Sequence, residues 1–557
     1  MRIQARFMKS EIKRHRYAVL LYALVTIAAS ATLSLHFFLQ PLRPWPDQGW
    51  MLQAAIRHAS GEGLTTQMNS ESRDLTRPTF GRLTYFPPGY PLLTSAMVRA
   101  GLGVETAVKA VNAAALIIGI VGCLFLAFPL LEGRGLRIIY CALLVLACGG
   151  VVVKGGTSDL IFWAGVPWWI SCLARARVEE GPSRIVLLSL AALIPAALIS
   201  VRWAAVFLVP VGIVALMIPL KREPRELIRS AAAAMVVALP PTLIYFTIGT
   251  INRHYSGGAS ILSFVQPGWR PRYLLTLYPF QSIFAIPTGV EPFIDRVWRT
   301  IDPPMSALWG ITIFHVAVPL ILVSAILISV RRARIIGSLP RTSRSVLFVT
   351  TLVGAGLVAF LGWMALRYNW DFVDWSFLSE PRYYRPFLPV FLLGWLMLLD
   401  RLPSMRLPRR IGVGVLVLSS IYLLQATARA EWSMLRTHDE SLEVVAKVRS
   451  LGANPGLNLV FDADVSDYII HPEPNLIAVN YVAETELPTV HVGQAATLWF
   501  VRRVHESTAY LLDRDRDRRS FEAHRQRFGS TLAWTSSEGN YEIYVATPLI
   551  SRAFRER

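Results

Sequence analysis

The chain has 557 residues, 53% of them hydrophobic and 17% charged, with a formal net charge of +19 at pH 7 and a mean hydropathy of +0.43. So apolar a composition excludes an ordinary water-soluble protein and describes a polytopic membrane protein that carries some soluble mass. The positive charge excludes nothing until its placement is known, since nucleic-acid binders and membrane proteins with basic loops both carry it.

Crossing a hydrocarbon core of about 30 Å takes roughly 20 helical residues. Runs that meet this lie near 17–39, 105–128, 136–153, 158–174, 185–200, 203–219, 230–250, 307–330, 345–366, 386–400 and 411–428, about eleven spans in all. Arg and Lys gather at the N-terminus (Arg2, Arg6, Lys9, Lys13, Arg14, Arg16) and again around Arg175, Lys221, Arg331 and Arg401. Those clusters fall in connectors on one side of the spans, which is the positive-inside pattern. The charge is therefore a topology signal rather than a nucleic-acid signal. It places the N-terminus in the cytoplasm and, with an odd number of spans, the C-terminal region outside. The first run is long and is followed by no small-residue cleavage site, so it reads as a retained anchor. Cys123, Cys141, Cys148 and Cys172 all fall within spans, and no CxxC or Cys/His metal spacing occurs.

The expected architecture is an all-α polytopic membrane domain over 1–428 with external loops 41–104, 252–306 and 367–385. A small α/β extracytoplasmic domain follows over 429–557. Every large insertion lies on one side of the membrane, so the working face is external. In the first loop, Trp50, Met51, Ala54 and Ala55 follow a 3.6-residue period, which predicts a helix over 48–60 with Asp47 at the N-cap position. A second helix is expected over 91–102. In the tail, helices are expected over 439–451 and 521–528, and short strands at Asn458–Phe461, Leu476–Val479, Thr497–Val501 and Glu542–Val545.

The chemistry-bearing residues collect at the external ends of the spans. Asp47 follows the first span. Lys154 and Asp159 flank the third connector, and Arg202 stands at the turn between the fifth and sixth spans. Arg270 and Arg272 lie in the long loop, and Arg382 and Tyr383 precede the tenth span. Charged groups beside a bilayer are costly, so they are paired or functional. The chemistry that suits them is sugar transfer from a polyprenyl phosphate. Cations would stabilise the charge growing on the leaving phosphate, and a carboxylate would take the proton of an attacking hydroxyl. The catalytic candidates are Asp47 as that base and Asp159 as a second acidic group or the partner that orients a cation. Each residue also has a purely structural reading. Asp47 and Asp159 can be helix caps, Lys154 and Arg382 interfacial anchors, and Arg202 an ion-pair partner of Asp159. Arg270 and Arg272, flanking Pro271, can belong to a solvated loop.

Several motifs resemble those of the C-type (GT-C) membrane glycosyltransferases, in the branch of the protein O-mannosyltransferases and the bacterial lipid A aminoarabinose transferases. They are Pro46-Asp47 with Gly61-Glu62-Gly63, Phe86-Pro87-Pro88-Gly89-Tyr90-Pro91, Ser158-Asp159, Arg202-Trp203 with Pro210, and Arg382-Tyr383-Tyr384 with Pro389. The resemblance implies that the acidic residue of the first external loop, here Asp47, is catalytic. It also implies a polyprenyl-phosphate-linked sugar as donor, a lipid A, glycan or protein acceptor on the external face of a bacterial inner membrane, and membrane lipids as surroundings. That family often carries a second acidic residue beside the first, where Gln48 stands here. The sequence supplies no cofactor motif; a divalent metal is compatible with the chemistry, but no residues call for one. The tail would shape the acceptor site or bind a glycan. Two rival classes are a flippase for lipid-linked sugars, and a surface-polysaccharide polymerase or ligase relying on the arginines of 252–306.

Overall fold

The long apolar runs fold as helices, because a chain surrounded by hydrocarbon must satisfy its backbone hydrogen bonds within each segment. The computed structural model describes residues 17, 19–42, 46–68, 75–76, 79–84, 86–152, 158–218, 224–255, 266–267, 339–369, 387–401, 407–436, 440–462, 475–480, 496–504 and 511–546. It divides into two units. The first comprises Met1–Pro41, Thr84–Tyr90 and Val108–Leu435, and the second Leu42–Leu83, Pro91–Ala107 and Arg436–Arg557.

In the first unit, helices are found at every expected span except 307–330, which lies outside the described residues. Three described helices are long and apolar enough to cross a membrane: Val104–Ala127, Pro182–Val201 and Pro224–Asn252. Shorter apolar helices are Val19–Thr32 and Trp203–Met217. Large apolar side chains such as Ile185, Ile228, Met235 and Phe246 are exposed on their outer faces, which a bilayer permits and water penalises. Inside, Trp163, Trp169, Tyr140, Phe128 and Phe387 are fully buried. Helix Ser158–Ala176 packs against Pro182–Val201 and Arg341–Arg367, and Pro182–Val201 packs against Pro224–Tyr255. At the end of the first span, Glu431 of helix Leu407–Arg436 accepts hydrogen bonds from both the backbone N–H and the Nδ1 of His36.

The second unit is built on a five-stranded mixed sheet. Across it the order is Leu476–Asn480, Leu457–Asp462, Ala496–Arg503, Tyr541–Ala546 and Thr531–Thr535. The first three strands are parallel and the last two pair antiparallel. Alternation along the strands gives each face its own core. Leu459, Phe461, Leu498 and Phe500 meet Phe521 of helix Leu511–Phe528. Val460, Val501 and Ile543 meet Val444 and Val448 of helix Glu440–Leu451. The tail is thus a three-layer α/β/α sandwich. Strand Thr531–Thr535, whose residues are largely exposed, was not expected from the sequence.

His524 is fully buried in this domain, between the rings of Phe461 (5.2 Å) and Phe500 (6.1 Å), and donates from Nδ1 to the Ser520 carbonyl (2.6 Å). Burial, reinforced by the Arg527 charge and opposed by the Ser520 hydrogen bond, lowers its pKa from 6.5 to about 4. The unfolded chain binds a proton in that interval and the native domain does not, so stability falls as pH drops from 6.5 towards 4. The slope from this group is at most about 1.4 kcal/mol per pH unit. The protection factors of tail amides in the intact protein, with exchange corrected for the pH dependence of its intrinsic rate, should fall between pH 7 and pH 5, and His524→Leu should flatten that dependence.

Candidate active site

Helix Pro182–Val201 ends at Arg202, whose backbone is extended (φ −151°, ψ 123°). A 3-10 turn, Trp203–Phe207, follows, and a new α-helix starts at Leu208. Pro210 stands in the first turn of that new helix, where its ring and missing N–H are tolerated. The break leaves Arg202 between two helices, and its guanidinium forms an ion pair with Asp159. Asp159 is in the first turn of helix Ser158–Ala176, where the helix dipole favours a negative charge. Both partners are largely buried, their side chains 15% and 7% exposed.

The Pro-Pro-Gly motif packs against this break. Gly89 lies so close to the end of helix Pro182–Val201 that a Cβ there would stand 2.6 Å from the Ser200 carbonyl oxygen. Only glycine permits that approach. Tyr90 beside it is fully buried. The segment is also held at Thr84, whose carbonyl accepts from Asn252 Nδ2 (2.9 Å) of helix Pro224–Tyr255. From the same helix, Tyr245 meets the Trp203 ring edge-on at 5.7 Å. One turn into helix Ser158–Ala176, Phe162 packs on Phe387 (5.3 Å), which also meets Phe207 (5.3 Å). Three sequence motifs are thereby gathered at one place: Ser158-Asp159, Arg202-Trp203 and the glycine of Phe86–Pro91.

Asp47 belongs to the second unit. Its helix runs Pro46–Ala59, so Asp47 sits within the first turn rather than at the cap, and Pro46 takes the first position, where its missing N–H costs nothing. The far end of this helix explains Gly61-Glu62-Gly63. Gly61 adopts φ 88°, the left-handed conformation that closes a helix. The Glu62 N–H then bonds the Arg57 carbonyl (2.8 Å), and its carboxylate pairs with the Arg57 side chain. Arg57 also donates from Nε to Thr65 Oγ1 (2.8 Å) and covers the Phe80 ring at 3.5 Å. The motif is thus a hook from the helix into the hairpin of Thr65–Met68 and Thr79–Arg82, which the sequence did not reveal. His58, hydrogen-bonded to Ser95 (2.8 Å), is kept below its usual pKa by burial and by Arg99.

Lys154, Arg270, Arg272, Arg382 and Tyr383 lie outside the described residues. Among the described residues no group of three or more His, Cys, Asp or Glu side chains could hold a metal ion.

No family model matches the chain, and no curated protein matches it by sequence. Solved structures do. The oligosaccharyltransferase of Archaeoglobus fulgidus in its apo form matches with a TM-score of 0.53 at 11% identity, over 96% of this chain and 75% of that one. The same enzyme tethered to an acceptor peptide containing the NVT sequon matches with a TM-score of 0.51 at 10% identity, over 96% and 74%. ArnT from Cupriavidus metallidurans bound to undecaprenyl phosphate matches over 96% and 98% at 13% identity, with a TM-score of 0.41. At such identities the likeness is one of fold. The chain is a membrane protein with the fold of the GT-C glycosyltransferases, the class indicated by its motifs.

Removing one partner of a buried ion pair leaves an uncompensated charge and costs about 3–5 kcal/mol, whereas replacing both by apolar groups is often neutral. Asp159→Asn and Arg202→Met should each lower the thermal unfolding midpoint of the detergent-solubilised protein, and Asp159→Leu/Arg202→Met should recover most of the loss.

Proposed function

We propose that the protein is an inverting membrane glycosyltransferase that moves a sugar from a polyprenyl-phosphate carrier to a lipid, glycan or protein acceptor on the external face of a bacterial inner membrane. The observation that carries this reading is the GT-C fold, together with Pro46-Asp47 opening the first helix after the first span. The Archaeoglobus enzyme of that fold has been seen with an acceptor peptide, which supports a donor–acceptor transfer here. The further apolar helices cross the bilayer as well, with the N-terminus cytoplasmic and the tail extracytoplasmic.

In the proposed step, an acceptor hydroxyl attacks the anomeric carbon from the face opposite the carrier. The new C–O bond forms as the bond to the phosphate oxygen breaks, and the electron pair leaves with the polyprenyl phosphate. The hydroxyl proton passes to Asp47 as general base. A single displacement inverts the anomeric configuration. Negative charge on the departing phosphate is met by cations. Arg202 presents a rigid guanidinium fork that its ion pair with Asp159 holds in one orientation, and this oriented cation is the proposed contact of the departing phosphate. Lys154, Arg382 and Tyr383, with Arg270 and Arg272, are the other proposed donor contacts. Gly89 serves by letting the Pro-Pro-Gly segment close against Ser200.

The test is transfer of label from radiolabelled polyprenyl-phosphate sugars to a membrane lipid extract or a periplasmic acceptor fraction by purified protein in nanodiscs. Asp47→Asn should lower transfer by about 10²–10⁴-fold, the range of general-base catalysis, with expression and unfolding midpoint unchanged. Label that crosses the bilayer of proteoliposomes without leaving its carrier would replace this reading with a flippase. Gly89→Ala should lower transfer as well as stability, because its Cβ displaces the Ser200 carbonyl that precedes Arg202.

A further inference from the structure

Within the second unit the first external loop and the tail share their cores. Trp50, one helical turn after Asp47, packs against the cluster of Val444, Val448, Val460, Ala478, Val501 and Ile543 on one face of the sheet. Leu75, further along the same loop and 8% exposed, is a member of the cluster on the opposite face, with Leu459, Phe461, Phe500 and Phe521. Between them, Gln67 of the hairpin donates from Nε2 to the Ala478 carbonyl (3.1 Å) in strand Leu476–Asn480, which lies at the edge of the sheet. The loop thus straddles the edge strand, with a side chain on each face and a hydrogen bond at the rim. Gln53 ties the helix to this clasp, its Oε1 accepting from the Gln67 N–H (2.7 Å). An uncovered sheet edge is a liability, and a 14-residue helix at a membrane surface is marginal without tertiary packing. Each element supplies what the other lacks.

We infer that the tail domain positions the helix that carries Asp47, with Trp50 as the positioning residue and Gln67 and Leu75 completing the clasp. The tail is then a structural part of the catalytic loop, in addition to any acceptor it contacts. The inference concerns the helix and stands apart from the transferase reading; its consequence for catalysis rests on that reading. A misplacement of about 1 Å in a catalytic group can cost on the order of 100-fold in rate.

The test uses the full-length protein in detergent micelles. Hydrogen exchange is followed by mass spectrometry in peptides covering residues 46–59 and 476–480, for wild type, Trp50→Ala, Trp50→Phe and Gln67→Ala. Leu532→Ala, at a position 53% exposed in the tail, is the control. Trp50→Ala should raise exchange in both peptides together, Gln67→Ala should do so more weakly, and Trp50→Phe and the control should stay near wild type. In the transfer assay Trp50→Ala should lower kcat by about 10- to 100-fold with donor KM within about twofold, and Trp50→Phe should restore most of it. Exchange in 46–59 that does not respond to Trp50→Ala, or responds without 476–480, overturns the inference. Exchange that rises in both peptides while kcat is unchanged supports the clasp and removes Asp47 from the chemistry, so the two failures are distinguishable.

Discussion

A carboxylate and a guanidinium removed from water together hold the first unit to its geometry. Asp159 and Arg202 come from different helices, and both are largely buried. Neither charge is tolerable there alone, since desolvating an ion costs several kcal/mol that only a close partner offsets. The pair therefore commits the start of helix Ser158–Ala176 and the break after Val201 to a single arrangement. Gly89, Trp203 and Tyr245 follow from it, because each packs on that break or on the residue next to it. In the proposed transfer, a guanidinium oriented in this way acts as a preorganised contact for the leaving phosphate, with little side-chain freedom left to lose.

The second unit depends on apolar burial at a sheet edge. The strand Leu476–Asn480 has one sheet partner, and the loop from residue 42 to 83 covers its free side with Trp50, Gln67 and Leu75. Two stretches of chain far apart in sequence (Gln67 and Ala478 are separated by 411 positions) thereby share two cores. Such a pairing carries a large loop-closure entropy, so it needs the combined burial on both faces to persist.

Much of the architecture was legible in the chain. Helix positions followed from run length and hydropathy, and four tail strands from short apolar segments between turns. Arg202 stood out as a cation deep in apolar sequence, and Asp159 was already a named candidate for its partner; the structure joins them. Asp47 was expected at a cap and lies one turn position inside its helix, because Pro46 serves as the first helical residue. Less visible were the hairpin of Thr65–Met68 and Thr79–Arg82 and the strand Thr531–Thr535. Their residues are polar or exposed, so neither shows the alternation that marks a half-buried strand. The glycine motif at 61–63 was read by resemblance, and its physical role, closing a helix and hooking Arg57, emerged only from the positive φ and the bonds around it.

Sequence alone determined what depends on neighbours along the chain: which runs are apolar enough to be helices, and which charges stand at helix ends. Tertiary structure alone decided what depends on contacts between distant segments. These are the choice of Asp159 as partner for Arg202, the closeness of Gly89 to Ser200, and the clasp of Trp50, Gln67 and Leu75 on the tail sheet. The reason is physical. Local propensity is set within a few residues and leaves its period in the sequence, whereas packing selects partners by shape and desolvation, which have no spacing along the chain to read.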